Sequence, residues 1–438
     1  MRRLIFILTA YLALATLYAI FTPKWQAPDE PAHFNYIRAI AETGALPVLS
    51  RGDYDQAYLE QIKAAKFPPT MPIDAIRYEA YQPPLYYLAA TPVYLIARGA
   101  GIDATVIALR LFSVALGALV LLVTFRIVRA IFATRDDSCL AIATVGLMAT
   151  VPQHLAVSAS ISNDLAAELV LILILWLAIK RVQSPISNLQ FSILGGILYG
   201  AALLTKTTAY VPGALLLIGA AIAHSGQRSA VSGQLLKLFT LALLIAAPML
   251  LRGALVYGIT DPLGIAQHDA VVIGQPTTAE VIAQRGLARV AFDFFAVTFK
   301  SFWAQFGWMG VLVNDRIYVA LALLTGAAVF GHALYARRIL RRRDLLTPAQ
   351  WGCIALINLL LVVAFADYVA YNFKFLQFQG RYLFPALVAI ALFLVVGLRE
   401  LIAREYQRVI FVLLYVALLA LDLACLFLFI VPQLRIAN

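Results

Sequence analysis

MRRLIFILTAYLALATLYAIFTPKWQAPDEPAHF, residues 1–34, sets the terms for the rest of the chain. Two arginines precede an apolar run of about 20 residues, the length of helix that crosses a bilayer. Two acids, Asp29 and Glu30, stand just beyond it. Similar runs recur to the C-terminus. Of the 438 residues, 62% are hydrophobic and 13% charged, against about 25% charged in soluble proteins. Backbone groups in lipid must satisfy one another, so these runs are helices; no alternating pattern suggests a barrel. The expected fold class is an all-α polytopic membrane protein. No small-residue cleavage site follows the basic start, so the first run reads as a retained helix.

The net charge is +11, and its position gives it meaning. Basic residues gather in short loops between apolar runs, which points to a membrane orientation and away from nucleic acid. With Arg2 and Arg3 in the cytoplasm, spans fall at about 4–22, 105–125, 138–157, 163–179, 189–205, 208–223, 238–256, 316–336, 350–370, 382–398 and 409–432, about eleven in all. Arg126, Arg129 and Arg135, then Lys180 and Arg181, then RRILRRR (337–343) mark the inner loops. Two long segments, about 23–104 and 257–315, lie outside. Residues 189–223 read either as one kinked hairpin or as two short helices. No repeat is visible, and the chain is expected to form a single domain over residues 1–438. Cys139, Cys353 and Cys425 all fall in apolar runs and read as packing residues, not a disulfide framework.

The outer segments carry the candidate chemistry. Pro31 suits the start of a helix that runs to about Thr43, with Gly44 as its stop. Asp29 and Glu30 then sit at a helix N-terminus, where the dipole favours the carboxylate. Such acids either cap the helix or serve as a general base or metal ligand. His33 shares a face with Glu30 at i, i+3, as an ion-pair partner or a helper. YQPPLYYLAATPVYLIARGAG (81–101) is too short and proline-broken to span comfortably. Its tyrosines form an interfacial belt or line a groove for a lipid tail, with Tyr81 and Gln82 placed to meet substrate. Asn163 and Asp164 lie at the mouth between the third and fourth spans, as a cap or as partners of Asp29 around a divalent cation. Lys206 in LLTKTTAYVPG lies outside, against the charge rule, and Arg381 with Tyr382 in QGRYLFPAL does the same. Both cations suit a phosphate or a headgroup anchor. His268 and Asp269 belong to the second outer segment, in a solvated loop or near an acceptor.

These stretches resemble a family of bacterial polytopic membrane proteins grouped as a domain of unknown function. APDEPAHFNYIRAIAETGALP, QPPLYY, SNDLA, LLTKTT, FWAQFGWM and QGRYLFPAL match its landmarks in order along nearly the whole chain. That family is in turn similar to the GT-C glycosyltransferases, including the protein mannosyltransferases and the aminoarabinose transferases. The resemblance implies a GT-C-like bundle in the bacterial cytoplasmic membrane, with the active site outside. It implies a polyprenyl-phosphate sugar as donor and a lipid, glycan or protein as acceptor. It also implies that Asp29 matches the catalytic carboxylate and Lys206 the phosphate-binding lysine. Asp164 falls where some members carry a second acid, and Gln82 stands where many relatives have histidine. Members differ in needing a metal, so a divalent cation on Asp29 and Asp164 is an open expectation.

The expected activity is inverting sugar transfer, with Asp29 as base and Glu30 assisting. Two other classes fit less of the pattern. A transporter or flippase of lipid-linked saccharides would carry acids in span centres, for which Asp367 and Asp422 are the candidates. A non-catalytic envelope assembly factor would need no base.

Overall fold

In the computed structural model, residues 2–132, 138–184, 186–224 and 228–436 are described. Arg135, expected in an inner loop, lies outside them. The order is α1 (Arg2–Phe21), α2 (Glu30–Thr43), α3 (Gln56–Ala64), α4 (Leu85–Ala97), α5 (Ile102–Ile131), α6 (Ser138–Ala149), α7 (Pro152–Ser158), α8 (Asp164–Gln183), α9 (Asn188–Leu203), α10 (Tyr210–His224) and α11 (Arg228–Tyr257). Three short or amphipathic helices follow: α12 (Ile265–Val271), α13 (Thr278–Arg285) and α14 (Leu287–Trp303). The chain ends with α15 (Asp315–Arg341), α16 (Pro348–Asn372), α17 (Leu387–Leu401), α18 (Arg404–Ala424) and α19 (Val431–Leu434). Among the described residues the one sheet is a two-stranded turn pairing Gln305 with Leu312 and Phe306 with Val311.

Among the described residues, seven helices are long and apolar enough to cross a membrane, or eight if α6 and α7 form one span broken by a 68° bend. Pro152 opens α7 and cannot continue α6, which accounts for the break. The ambiguous stretch at 189–223 is two helices, α9 and α10. They are separated by an extended Lys206 and a single 3₁₀ turn, Thr207–Ala209.

Lipid tails are as apolar as leucine, so helices in a bilayer associate through close packing. The main core is built by α1, α5, α6, α8 and α17. The first outer segment has a core of its own, in which Trp25, Phe34, Ile37, Tyr86 and Tyr87 meet Val106, Leu109 and Ile161. It is seated on the ends of α5 and α8 rather than lying loosely on the surface. α15 crosses α17 in close contact at Gly331 and Gly397. A Cβ on Gly397 would stand 1.8 Å from the Ala328 carbonyl oxygen. Gly397→Ala must push two backbones apart, and overpacking of this kind costs about 1–3 kcal/mol. Thermal melting of the detergent-solubilised variant should show that loss, and an unchanged midpoint would refute the packing account.

Candidate active site

Four distant segments supply the site. Asp29 occupies the N-cap position of α2 with φ +67°, a left-handed conformation that asparagine and aspartate adopt more readily than most residues. Its side chain makes no capping bond, so the capping reading fails. Instead Tyr78 donates to Oδ1 at 2.7 Å and Arg381 to Oδ2 at 2.5 Å. Gly44 closes α2, its N–H bonding the Ile40 carbonyl at 2.9 Å. The Gly44 stop falls where the sequence placed it.

Arg381 comes from a 3₁₀ stretch, Gly380–Ala386. Gly380 is pressed against α14: a Cβ there would lie 2.3 Å from the Phe302 nitrogen. Its N–H donates to Ser301 Oγ at 2.7 Å. This fixes the direction of Arg381, whose guanidinium reaches Asp29 and lies 3.9 Å from Asp164. Asp164 opens α8 and pairs with Lys206, which the break between α9 and α10 turns inward. Two carboxylates and two cations from four segments therefore meet in one chamber.

That chamber has a volume of about 330 Å³. His33, Tyr81, Gln82, Thr207 and Thr208 also line it, with Val211, Ala364 and Pro385 as an apolar wall. A second chamber of about 230 Å³ adjoins it, lined by Tyr54, Gln56, Gln275, Trp308, Gln377 and Gln379 among others. Asp29, Glu79, His268, Tyr371, Arg381 and Tyr382 border both.

Burial alone would raise the Asp29 carboxyl, but Arg381, His33 and the hydrogen bond from Tyr78 bring it below the usual carboxylate range. Burial drives His33 down to about 4 against the pull of Asp29, so its ring is neutral at pH 7. Its Nδ1 meets the Tyr87 hydroxyl at 2.8 Å. Glu79 moves the other way. Burial first, then the charge of Asp29, pushes it up to about 7. Its buried Oε2 has no hydrogen-bond partner among the described residues.

Several expectations change. Glu30 is not in the chamber. Its side chain is fully buried, and Arg110 donates to Oε1 at 2.8 Å and to Oε2 at 2.7 Å. The Trp25 and Ile161 N–H groups bond it at 2.9 and 3.2 Å. Every lone pair it offers is engaged by Arg110 and backbone N–H groups, and His33 is not its partner. Asn163 also stands behind the wall, donating to Gln82 Oε1 at 3.4 Å and to the Thr205 carbonyl at 3.3 Å. The divalent cation does not suit this donor set. Asp29 and Asp164 each already face a cation, and no three His, Cys, Asp or Glu side chains converge among the described residues. Asp422 is fully buried with both carboxyl oxygens unpartnered among the described residues, and it borders neither chamber; Asp367 lines the first.

Glu79, Tyr78 and His268 were missed or set aside. Tyr78 and Glu79 stand just before Ala80 and YQPP, but an acid in a polar loop carries no signature of burial. Arg110 had a readable signal, a lone cation within the apolar run TVIALRLFSVAL.

Residues 82–251, less than half the chain, match the family model described as dolichyl-phosphate-mannose-protein mannosyltransferase. No curated protein matches the sequence. Among solved structures, apo ArnT from Cupriavidus metallidurans superposes with a TM-score of 0.53 at 14% identity, covering 98% of this chain and 73% of that one. The apo oligosaccharyltransferase of Archaeoglobus fulgidus gives 0.50 at 14% identity, covering 98% of this chain and 55% of that one. The chain thus spans about half the length of the archaeal enzyme. At this identity the likeness is one of fold, and it agrees with the GT-C-like bundle expected from the sequence.

Proposed function

We propose that the protein is a membrane glycosyltransferase that moves a sugar from a polyprenyl-phosphate carrier to an acceptor hydroxyl on the extracytoplasmic face. The convergence of Asp29, Asp164, Lys206 and Arg381 beside an apolar wall carries the reading. In it, α8, α9 and α10 complete about eleven crossings with the helices counted above. The carrier's tail lies along Val211, Ala364 and Pro385, and its phosphate meets Lys206 and Arg381. The sugar occupies the junction of the chambers, and the acceptor enters through the smaller one.

The acceptor oxygen attacks the anomeric carbon as the bond from that carbon to the phosphate oxygen breaks. The phosphodiester's single negative charge becomes the two of a monoester, which the two cations stabilise as it forms. Arg381 leaves Asp29 for the phosphate, and the freed carboxylate takes the acceptor proton. Once Arg381 returns, Asp29 again holds protons weakly, and the proton passes to Glu79, whose affinity lies near neutrality. A single displacement inverts the anomeric centre.

Purified protein incubated with radiolabelled polyprenyl-phosphate sugars should transfer or release sugar, and a Lys206→Ala variant should not. Movement of the lipid across vesicles with no sugar chemistry would sink the reading in favour of a flippase. The relay makes a pH prediction. Glu79 must be ionised to receive the proton, so kcat should rise as pH climbs through about 7. In Glu79→Gln that inflection should vanish, with kcat lower and flat. The same inflection persisting in the variant would remove Glu79 from the mechanism.

A further inference from the structure

A crevice of about 390 Å³ lies at the other end of the bundle. Topology places it there. Asp29 follows the C-terminal end of α1, and Arg3 sits at its start. Arg381 precedes α17, and Arg399 lies in its last turn. Arg404 opens α18, and Arg408 is one turn further in. These four arginines from three helices line the crevice, and none of its described lining residues is acidic. The Arg399 Nε donates to Gln407 at 3.3 Å. Among the described residues, Arg404 and Arg408 form no ion pair.

The walls change character with depth. α18 rises about 6 Å over four residues, so Val412 and Tyr415 lie progressively deeper than Arg408. Ala143, Val395 and Phe411 complete an apolar floor. Cations at helix ends above an apolar slot match a molecule with an anionic head and hydrocarbon chains. Guanidinium groups bind phosphate oxygens in bidentate fashion, and basic clefts between membrane helices hold anionic headgroups. We propose that this crevice binds an anionic phospholipid of the leaflet opposite Asp29. The site is independent of the sugar chemistry.

The test uses the full chain in detergent, exposed to equal amounts of phosphatidylglycerol and phosphatidylcholine with the same chains, and read by native mass spectrometry. Phosphatidylglycerol should be retained roughly tenfold better. Arg404→Gln with Arg408→Gln should reduce it to the level of phosphatidylcholine. Val412 is 55% exposed, so Val412→Trp should leave the fold intact while filling the slot and lowering retention with every arginine in place. Equal retention of the two lipids overturns the proposal, as does wild-type retention in both variants. Displacement by millimolar glycerol phosphate also overturns it, because the crevice would then read a free phosphate and not a lipid.

Discussion

Asp29→Asn should lower the turnover of sugar transfer by roughly 10²–10⁴-fold, the usual contribution of a general base. Donor binding should move the other way. Asp29 holds Arg381 at 2.5 Å. A neutral amide holds a guanidinium less tightly, so Arg381 is freer to meet phosphate, and the donor KM should fall or stay level while kcat collapses. The substitution is clean because asparagine tolerates the φ of +67° at this position. Steady-state kinetics at several donor concentrations decide the matter. Turnover within about fivefold of wild type would exclude Asp29 as base. A rise in donor KM with kcat preserved would make it a binding residue only.

Glu30→Gln should cost about 3–5 kcal/mol of stability, the penalty for leaving one partner of a buried ion pair uncompensated. The Arg110 side chain is 2% exposed. Besides Glu30 it donates to the carbonyls of Ala19 at 2.9 Å, Thr22 at 2.7 Å and Pro23 at 3.2 Å. One ion pair thereby ties the end of α1 to the start of α2, to α5 and to the turn before α8. The measurement is the melting midpoint in detergent for Glu30→Gln, Arg110→Met and the double variant. The double variant should recover much of the loss, since it removes the stranded charge. Additive losses would show that each residue acts alone. Asp29 is adjacent in sequence, so the single variants should also lose turnover through misplacement of its carboxylate.

The helices were legible because bilayer-length apolar runs leave little choice of structure. Lys206 and Arg381 were legible because each broke the charge rule, and each lies in the chamber. Glu30 was misread for a definable reason. Adjacent residues at a helix start point in different directions, and sequence spacing does not say which faces the interior. Glu79 was invisible because its raised proton affinity comes from burial and from the charge of Asp29, 50 positions earlier in the chain, and neither is written in its local sequence. The crossing count was limited differently: α8 carries charges at both ends, and α9 and α10 are short.

The paired charges of the chamber act as a threshold. Asp29 faces Arg381, and Asp164 faces Lys206, so an arriving phosphate meets cations already engaged and must displace a carboxylate. A small soluble sugar phosphate has little to offset that exchange. A molecule dissolved in the bilayer gains little from moving its methylenes between lipid and an equally apolar wall, but its membrane confinement raises its local concentration. In the proposed reaction, self-neutralisation of the chamber would therefore favour a phosphate concentrated at its mouth by a hydrocarbon anchor over a water-soluble look-alike.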